Sequence, residues 1–300
     1  MLVVAGVITA LAALPAQAAR LKPETVAAFD RYIGATEQRM ADDLQEGRFL
    51  IVDRLPETAR QETYARLRQG QIHIQRLHTQ QDGKTIQVPD GLIHHWVGAA
   101  FIPGASVPQI LAVLEDYDNH KNVYKPDVRQ SKLLEHSGNQ FKVFLQLQRK
   151  SLVTAVVDAN FDVQYTLLGT TRAMSKSYST RIAEVANPGK PDEHELPVGN
   201  DHGYLWRLCS YWRIEEQDGG AYIQVESVGL SRSVPWFLAW MVNPLLESIP
   251  RGVLSDLLVA TRRAVTNNNP RNSGGALPPS ESGEGLHLRF LSRLPLQSSS

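Results

Sequence analysis

Residues Trp206–Ser231, "WRLCSYWRIEEQDGGAYIQVESVGLS", read as two strands joined at Asp218-Gly219. A two-residue turn there needs positive φ, which Gly supplies without a Cβ clash. Counting outward from the turn sets Ile214 opposite Ile223, Trp212 opposite Val225, Ser210 opposite Ser227, Leu208 opposite Gly229 and Trp206 opposite Ser231. Side chains alternate across a strand, so these residues share one face. Tyr211, Arg213, Glu215, Gln224 and Glu226 share the other. The first face is predicted to look inward and the charged one to meet water.

The same division recurs upstream. In 153–168, Val153, Ala155, Val157, Ala159, Phe161, Val163, Tyr165 and Leu167 alternate with Thr154, Asp158, Asn160, Asp162, Gln164 and Thr166, with Val156 out of place. That is the pattern of an antiparallel sheet wet on one side. Further strands are predicted over 92–103, 128–136, 140–150 and 171–185. Between the first two lies "SVPQILAVLEDYDNHKNVYKP", with Ser106 as a helix cap and Pro108 in the first turn; it predicts one or two short helices.

The inner face of such a sheet needs an apolar cover. The most apolar stretch left is "VPWFLAWMVNPLLESIPRGVLSDLLVATRRAV", Val234–Val265. Its uncharged part is too short to span a bilayer, which takes about 20 residues. Pro244 and Pro250 suit the starts of helical segments, capped by Asn243 and Ser248, so a broken amphipathic helix over the sheet is expected.

The 300 residues suffice for a sizeable core, and 31 basic residues balance 31 acidic ones. That balance lacks the excess of Lys and Arg expected of a nucleic-acid surface. A single cysteine, Cys209, excludes an intramolecular disulfide and a cysteine metal cluster. Residues 1–19 form an apolar run with Ala16-Gln17-Ala18 before a cleavage point, and predict an export signal and a periplasmic or secreted protein, although no Lys or Arg precedes the run. Residues 20–90 read as a helical and strand extension: helices over 23–47 and 56–70, a strand at "FLIVDRL", and an alternating segment from Gln71. Residues 91–267 form the main domain, and 268–300, rich in Asn, Ser, Gly and Pro, read as a disordered tail.

No nucleophile elbow, phosphate loop or metalloprotease motif occurs. His94 and His95 are adjacent on a strand and point to opposite faces, so they cannot chelate one ion. His73 and His78 fail likewise. No catalytic, metal or cofactor residue is expected.

"VLEDYDNHKNVYKPDVRQSKLLE", with Asp116-Tyr117 and then Tyr124-Lys125-Pro126, resembles the segment after the first strand in START-related proteins. That superfamily includes polyketide cyclases and coenzyme-Q-binding START proteins. The 233–265 segment is similar to the C-terminal helix region of its exported bacterial members, and the likeness covers about residues 90–268. The resemblance implies an α+β, helix-grip fold: a curved antiparallel sheet around a long C-terminal helix. It also implies a cavity between them for a lipid, isoprenoid or polyketide-like molecule. The residues expected to line it are Phe161, Tyr165, Trp206, Ser210, Trp212, Val225 and Ser227 on the sheet, with Trp236, Trp240 and Met241 as a gate that touches a membrane during exchange. Ser210 and Ser227 either orient a ligand or bond each other. Arg172 and Arg181 are an odd number of residues apart, which places one of them inside, facing a headgroup. The leading expectation is an exported carrier of a hydrophobic small molecule. A cyclase, dehydratase or hydrolase using the same cavity, or an envelope interaction protein with a filled one, are the alternatives.

Overall fold

The computed structural model describes residues 19–150, 154–233 and 236–268, with the backbone alone for 236–249. Residues 1–18 of the expected leader, 269–300 of the expected tail, Val153, and the side chains of Trp236, Trp240 and Met241 lie outside the described residues.

The extension contributes β1 (Ala19–Arg20), α1 (Pro23–Gln45), a 3-10 turn (Ile51–Arg54), α2 (Glu57–Arg68), β2 (His73–Arg76), β3 (Gln80–Gln81) and β4 (Lys84–Thr85). Then follow β5 (Gly91–Pro103), α3 (Val107–Leu114), a second 3-10 turn, α4 (His120–Val123), β6 (Val128–Ser137), β7 (Gln140–Lys150), β8 (Thr154–Leu167) and β9 (Arg172–Ala186). The chain closes with β10 (His194–Glu195), β11 (Asn200–Asp201), β12 (Arg207–Gln217), β13 (Gly220–Arg232) and α5 (Trp236–Asn267). The main sheet is antiparallel, in the order β2-β5-β13-β12-β9-β8-β7-β6. A strand, short helices, a run of antiparallel strands and a long C-terminal helix make this an α+β helix-grip fold.

The hairpin has the register that the turn predicts, from Ile214↔Ile223 to Leu208↔Gly229. Asp218 and Gly219 both have positive φ, 57° and 75°, as a primed two-residue turn requires. Asp218 Oδ2 also accepts the Tyr222 hydroxyl at 2.7 Å, holding the turn to its own strand.

The inner face carries one core cluster, with Trp96, Ala100, Ile102, Val157, Phe161, Tyr165, Ile214 and Val225 set against Ile110 and Leu114 of α3 and Leu254, Leu258 and Val265 of α5. Burying Leu258 completely contributes about 2 kcal/mol. Its seat depends on Gly98, where a Cβ would come within 2.8 Å of Leu258 Cδ1.

The outer face departs from expectation. Beneath the extension it is dry: Tyr211, Arg213, Glu215, Gln224 and Glu226 are all buried. Phe49, Leu50 and Val52 cover Val97, Phe101 and Tyr222, while Phe29, Tyr32 and Met40 cover Tyr211, Val228 and Leu230. The charges are tolerated because each has a partner. Arg213 donates to the carbonyls of Phe49 (2.6 Å) and Met40 (3.2 Å), and Gln224 accepts the Ile51 amide at 2.6 Å. Glu226 takes Arg39 and, at 2.7 Å, His95 Nε2. His95 Nδ1 lies 2.9 Å from the Tyr32 hydroxyl, which itself accepts the Thr79 amide. The face is wet only farther along, where Asp162, Gln164 and Thr166 of β8 are exposed.

Two local expectations also fail. "FLIVDRL" is a 3-10 turn, because the Asp53 carboxylate accepts the amides of Phe49 and Leu50 and the Tyr64 hydroxyl, drawing the backbone out of extension. And α5 runs unbroken through Pro244 and Pro250, where two segments were expected.

Candidate functional site

Strand pairing places a row of serines across the middle of the inner face. Ser177 of β9 pairs with Ser210 of β12, and Ser210 with Ser227 of β13. One step along, Tyr165 pairs with Ser175 and Ser175 with Trp212. Adjacent strands lie about 4.8 Å apart, so the row forms a compact polar stripe. Small side chains here leave the floor low. Ser177, Ser210, Trp212 and Ser227 keep partial exposure although they stand on the central strands of the sheet.

Among the described residues none of these serine hydroxyls has a partner. Ser210 and Ser227 make no bond to each other or to any other described residue, and the same holds for Ser177. The Ser175 hydroxyl is fully buried and has no partner. By contrast, Ser179 on the same strand accepts the Leu208 amide at 2.9 Å. At one end of the face His94 Nε2 lies 2.9 Å from Ser231 Oγ, and burial pushes the His94 ring down to about 4, leaving it neutral. At the other end Tyr117 and Tyr165 meet hydroxyl to hydroxyl at 2.8 Å, and Tyr165 also reaches the Leu114 carbonyl at 3.2 Å. Burial drives both phenols well above their ordinary range.

Of the predicted lining, Phe161, Tyr165 and Val225 are buried within the inner core, and Trp212 packs against it. Ser210 and Ser227 are the partly exposed pair beside them. Trp206 belongs elsewhere. It precedes β12, so the alternation does not extend to it; its ring joins the outer cluster with Tyr211 and Leu230, and its Nε1 donates to Asp201 at 3.0 Å.

Neither candidate arginine faces inward. A β-bulge between the pairs Phe161↔Ser179 and Asn160↔Arg181 inserts Thr180 and reverses the alternation, so Arg181 shares the outer side with Arg172. Arg172 pairs with Glu215 and Arg181 with Glu195. Ser175, Ser177 and His94 escaped the sequence reading. The alternation assigns β9 no clear face, and its registry with β12 comes from long-range pairing across the loop at 187–206, which no turn rule sets.

Among the described residues no group of three or more His, Cys, Asp or Glu converges on a metal position. Cys209 lies on the outer face, with its thiol pushed up to about 12 by burial. No helix of the described residues is long and apolar enough to cross a membrane.

Strand order and element sequence define a helix-grip architecture. No family model and no curated protein matches the chain. Several solved structures are similar in shape. The STAR-related lipid transfer protein of Xanthomonas axonopodis (fragment 25–204) is 17% identical over 64% of this chain and 93% of that one, with a TM-score of 0.43. Human STARD10 is 10% identical over 72% and 82%, at 0.42. The Zhui aromatase/cyclase from Streptomyces sp. R1128 is 13% identical over 60% and 98%, at 0.35. These likenesses concern the fold, and what those proteins carry or make is said of them alone.

Proposed function

We propose that this protein is an exported, soluble carrier of a hydrophobic small molecule, of lipid, isoprenoid or polyketide-like kind, held between the inner sheet face and α5. The observation that carries the reading is the exposure of Ser177, Ser210, Trp212 and Ser227. Inner-face positions on central strands are normally sealed by the covering helix, and here they are not. Native mass spectrometry of the mature protein, followed by solvent extraction, tests the reading. A co-purifying apolar molecule supports it; a ligand-free protein that takes up no lipid sinks it.

The polar pairs nearest the site do not favour the enzyme alternative. The Tyr117–Tyr165 hydroxyls are held protonated by burial, which suits hydrogen bonding rather than proton transfer near neutral pH. Export rests on the apolar run and Ala16-Gln17-Ala18. N-terminal sequencing of the secreted form checks it, and an uncleaved Met1 in a cell-retained protein refutes it. The gate assigned to Trp236, Trp240 and Met241 rests on the uncharged start of α5. Trp236→Ala with Trp240→Ala is expected to slow lipid uptake from vesicles at least severalfold while the unfolding midpoint holds. Equal loss of both would make the pair plain core.

A further inference from the structure

The residues that follow the expected leader are built into the fold from the first one onward. Ala16 and Ala18, on either side of Gln17, put the cut before Ala19. Ala19 and Arg20 form β1 against β11, with Ala19 directly opposite Asp201. The next amide, Leu21, donates to the Gly199 carbonyl at 2.8 Å. Ala19 and Leu21 both pack against the outer cluster that contains Trp206. This inference rests on the export reading above.

Asp201 is a buried carboxylate, 4% exposed, whose Oδ1 accepts the Gly203 amide at 2.7 Å and the Trp206 indole at 3.0 Å. Those donors are neutral. Among the described residues Asp201 makes no ion pair. Lys22 pairs with Asp90 instead, and Arg207 donates to the Trp206 carbonyl. Arg20 alternates to the other, exposed side of β1. Burial raises the Glu184 carboxyl, and the Asp201 charge adds to that rise, so a second carboxylate shares this corner with its partner His202. A buried carboxylate is unfavourable without a counter-charge.

The nitrogen of Ala19 is the group placed to provide one, because residues directly opposite on antiparallel strands have Cα atoms about 5 Å apart. In the uncleaved chain that nitrogen is a neutral peptide amide with a single donor. Hydrolysis of the Ala18–Ala19 bond turns it into an ammonium. We propose that cleavage before Ala19 completes the fold: the α-ammonium it creates pairs with Asp201 and fastens β1 to β11. The processed chain is therefore more stable than the same chain with its terminus extended or blocked.

The test compares three forms of the protein by thermal unfolding near neutral pH, where an α-amine of ordinary pKa, about 8, is charged. One begins at Ala19, one carries Gly-Ser ahead of Ala19, and one begins at Ala19 with its α-amine acetylated. Each is repeated with Asp201→Asn, which keeps an oxygen for Gly203 and Trp206 but no charge. The extended and acetylated forms are expected to melt about 2–4 °C below the free one, and the gap should fall below about 1 °C in Asp201→Asn. Equal midpoints for the three parent forms overturn the pairing, and so does a gap that survives Asp201→Asn. If that variant does not fold, a pH series on the parent forms decides. Pairing raises the amine's pKa, so its contribution is complete below about pH 8 and is lost as pH rises through the folded value. The gap between free and acetylated forms should close by about pH 10, and a gap independent of pH overturns the inference. N-terminal sequencing separates this inference from the export reading. An exported chain that starts elsewhere than Ala19 overturns the pairing and leaves export standing, whereas an uncleaved Met1 in a cell-retained protein overturns both.

Discussion

On the outer face of the β12–β13 hairpin, Arg213, Gln224 and Glu226 are buried, and every one is bonded to the extension or its neighbours. On the inner face of the same two strands, Ser210 and Ser227 bond to no described residue. Both faces mix polar and apolar residues, yet the polar groups serve opposite ends. The outer ones are spent on holding two parts of one chain together. The inner ones are spare, and a buried polar group left spare by the fold is unfavourable unless something else satisfies it. So partnership, more than polarity, separates structural from binding residues here.

The harshest way to break the comparison is to remove the extension. A chain of residues 91–267 would expose Phe101, Tyr211, Tyr222 and Val228, strand Arg213 without its carbonyl partners and leave Glu226 without Arg39. Such a chain is expected to be insoluble or molten, read by loss of a cooperative unfolding transition. A soluble, cooperatively folding 91–267 would mean that the outer network is dispensable.

A single change at the centre of the network comes next. Glu226→Ala leaves His95 Nε2 and Arg39 without their shared acceptor in a dry interface. Breaking one partner of a buried ionic network costs about 3–5 kcal/mol. Chemical denaturation should show that loss, while lipid uptake by the remaining folded protein stays within about twofold. A cost of only a few tenths of a kcal/mol would show water already reaching the network.

How far all this was legible in the sequence depended on the range of the cause. The hairpin register was readable because Asp218-Gly219 fixes it locally, and the face of 153–168 because its alternation is long and unbroken. Three features set at longer range were not. The charged outer face of β12 and β13 reads as wet because composition cannot announce that a segment 160 or more residues upstream will cover it, as Phe49 covers Arg213. The bulge at Thr180 leaves no turn residue to mark it, so the parity argument for Arg172 and Arg181 broke silently. Trp206 lies one residue before its strand, where alternation has no force. At the candidate site Ser210 and Ser227 were visible, whereas Ser175 and Ser177 required the β9–β12 pairing.

Acid sharpens the comparison from a different side. Burial pushes His120, whose Nε2 donates to the Leu114 carbonyl at 3.1 Å, from 6.5 down to about 4. Above pH 6.5 the ring is neutral in both the folded and unfolded chain, and its contribution is complete. As pH falls from 6.5 toward 4 the unfolded chain takes up a proton that the native ring refuses, so stability drops, by at most about 3 kcal/mol from this residue. Glu184 opposes the trend, since burial raises its carboxyl and favours the protonated native form. His120→Gln keeps a donor and cannot titrate, so it should lessen the decline between pH 6.5 and 4 in urea-unfolding series, the rest coming from rings such as His94 that burial also holds down. A variant whose stability falls as steeply as the parent's would place the ring in contact with water.

The smallest effect is the most discriminating. Ser177, Ser210 and Ser227 have no partner within the described protein, so replacing all three by alanine removes no internal hydrogen bond. Each also sheds an unpaired hydroxyl from a half-covered face. The triple variant is therefore expected to unfold within about 0.5 kcal/mol per site of the parent, or slightly above it, in sharp contrast to Glu226→Ala. A larger loss would show that these hydroxyls bond within the folded chain, for instance to a side chain at the start of α5, and so belong to the structure after all. Unchanged stability with weakened lipid uptake is an outcome a packing role cannot produce. That pairing of results separates the spare face of the hairpin from the spent one.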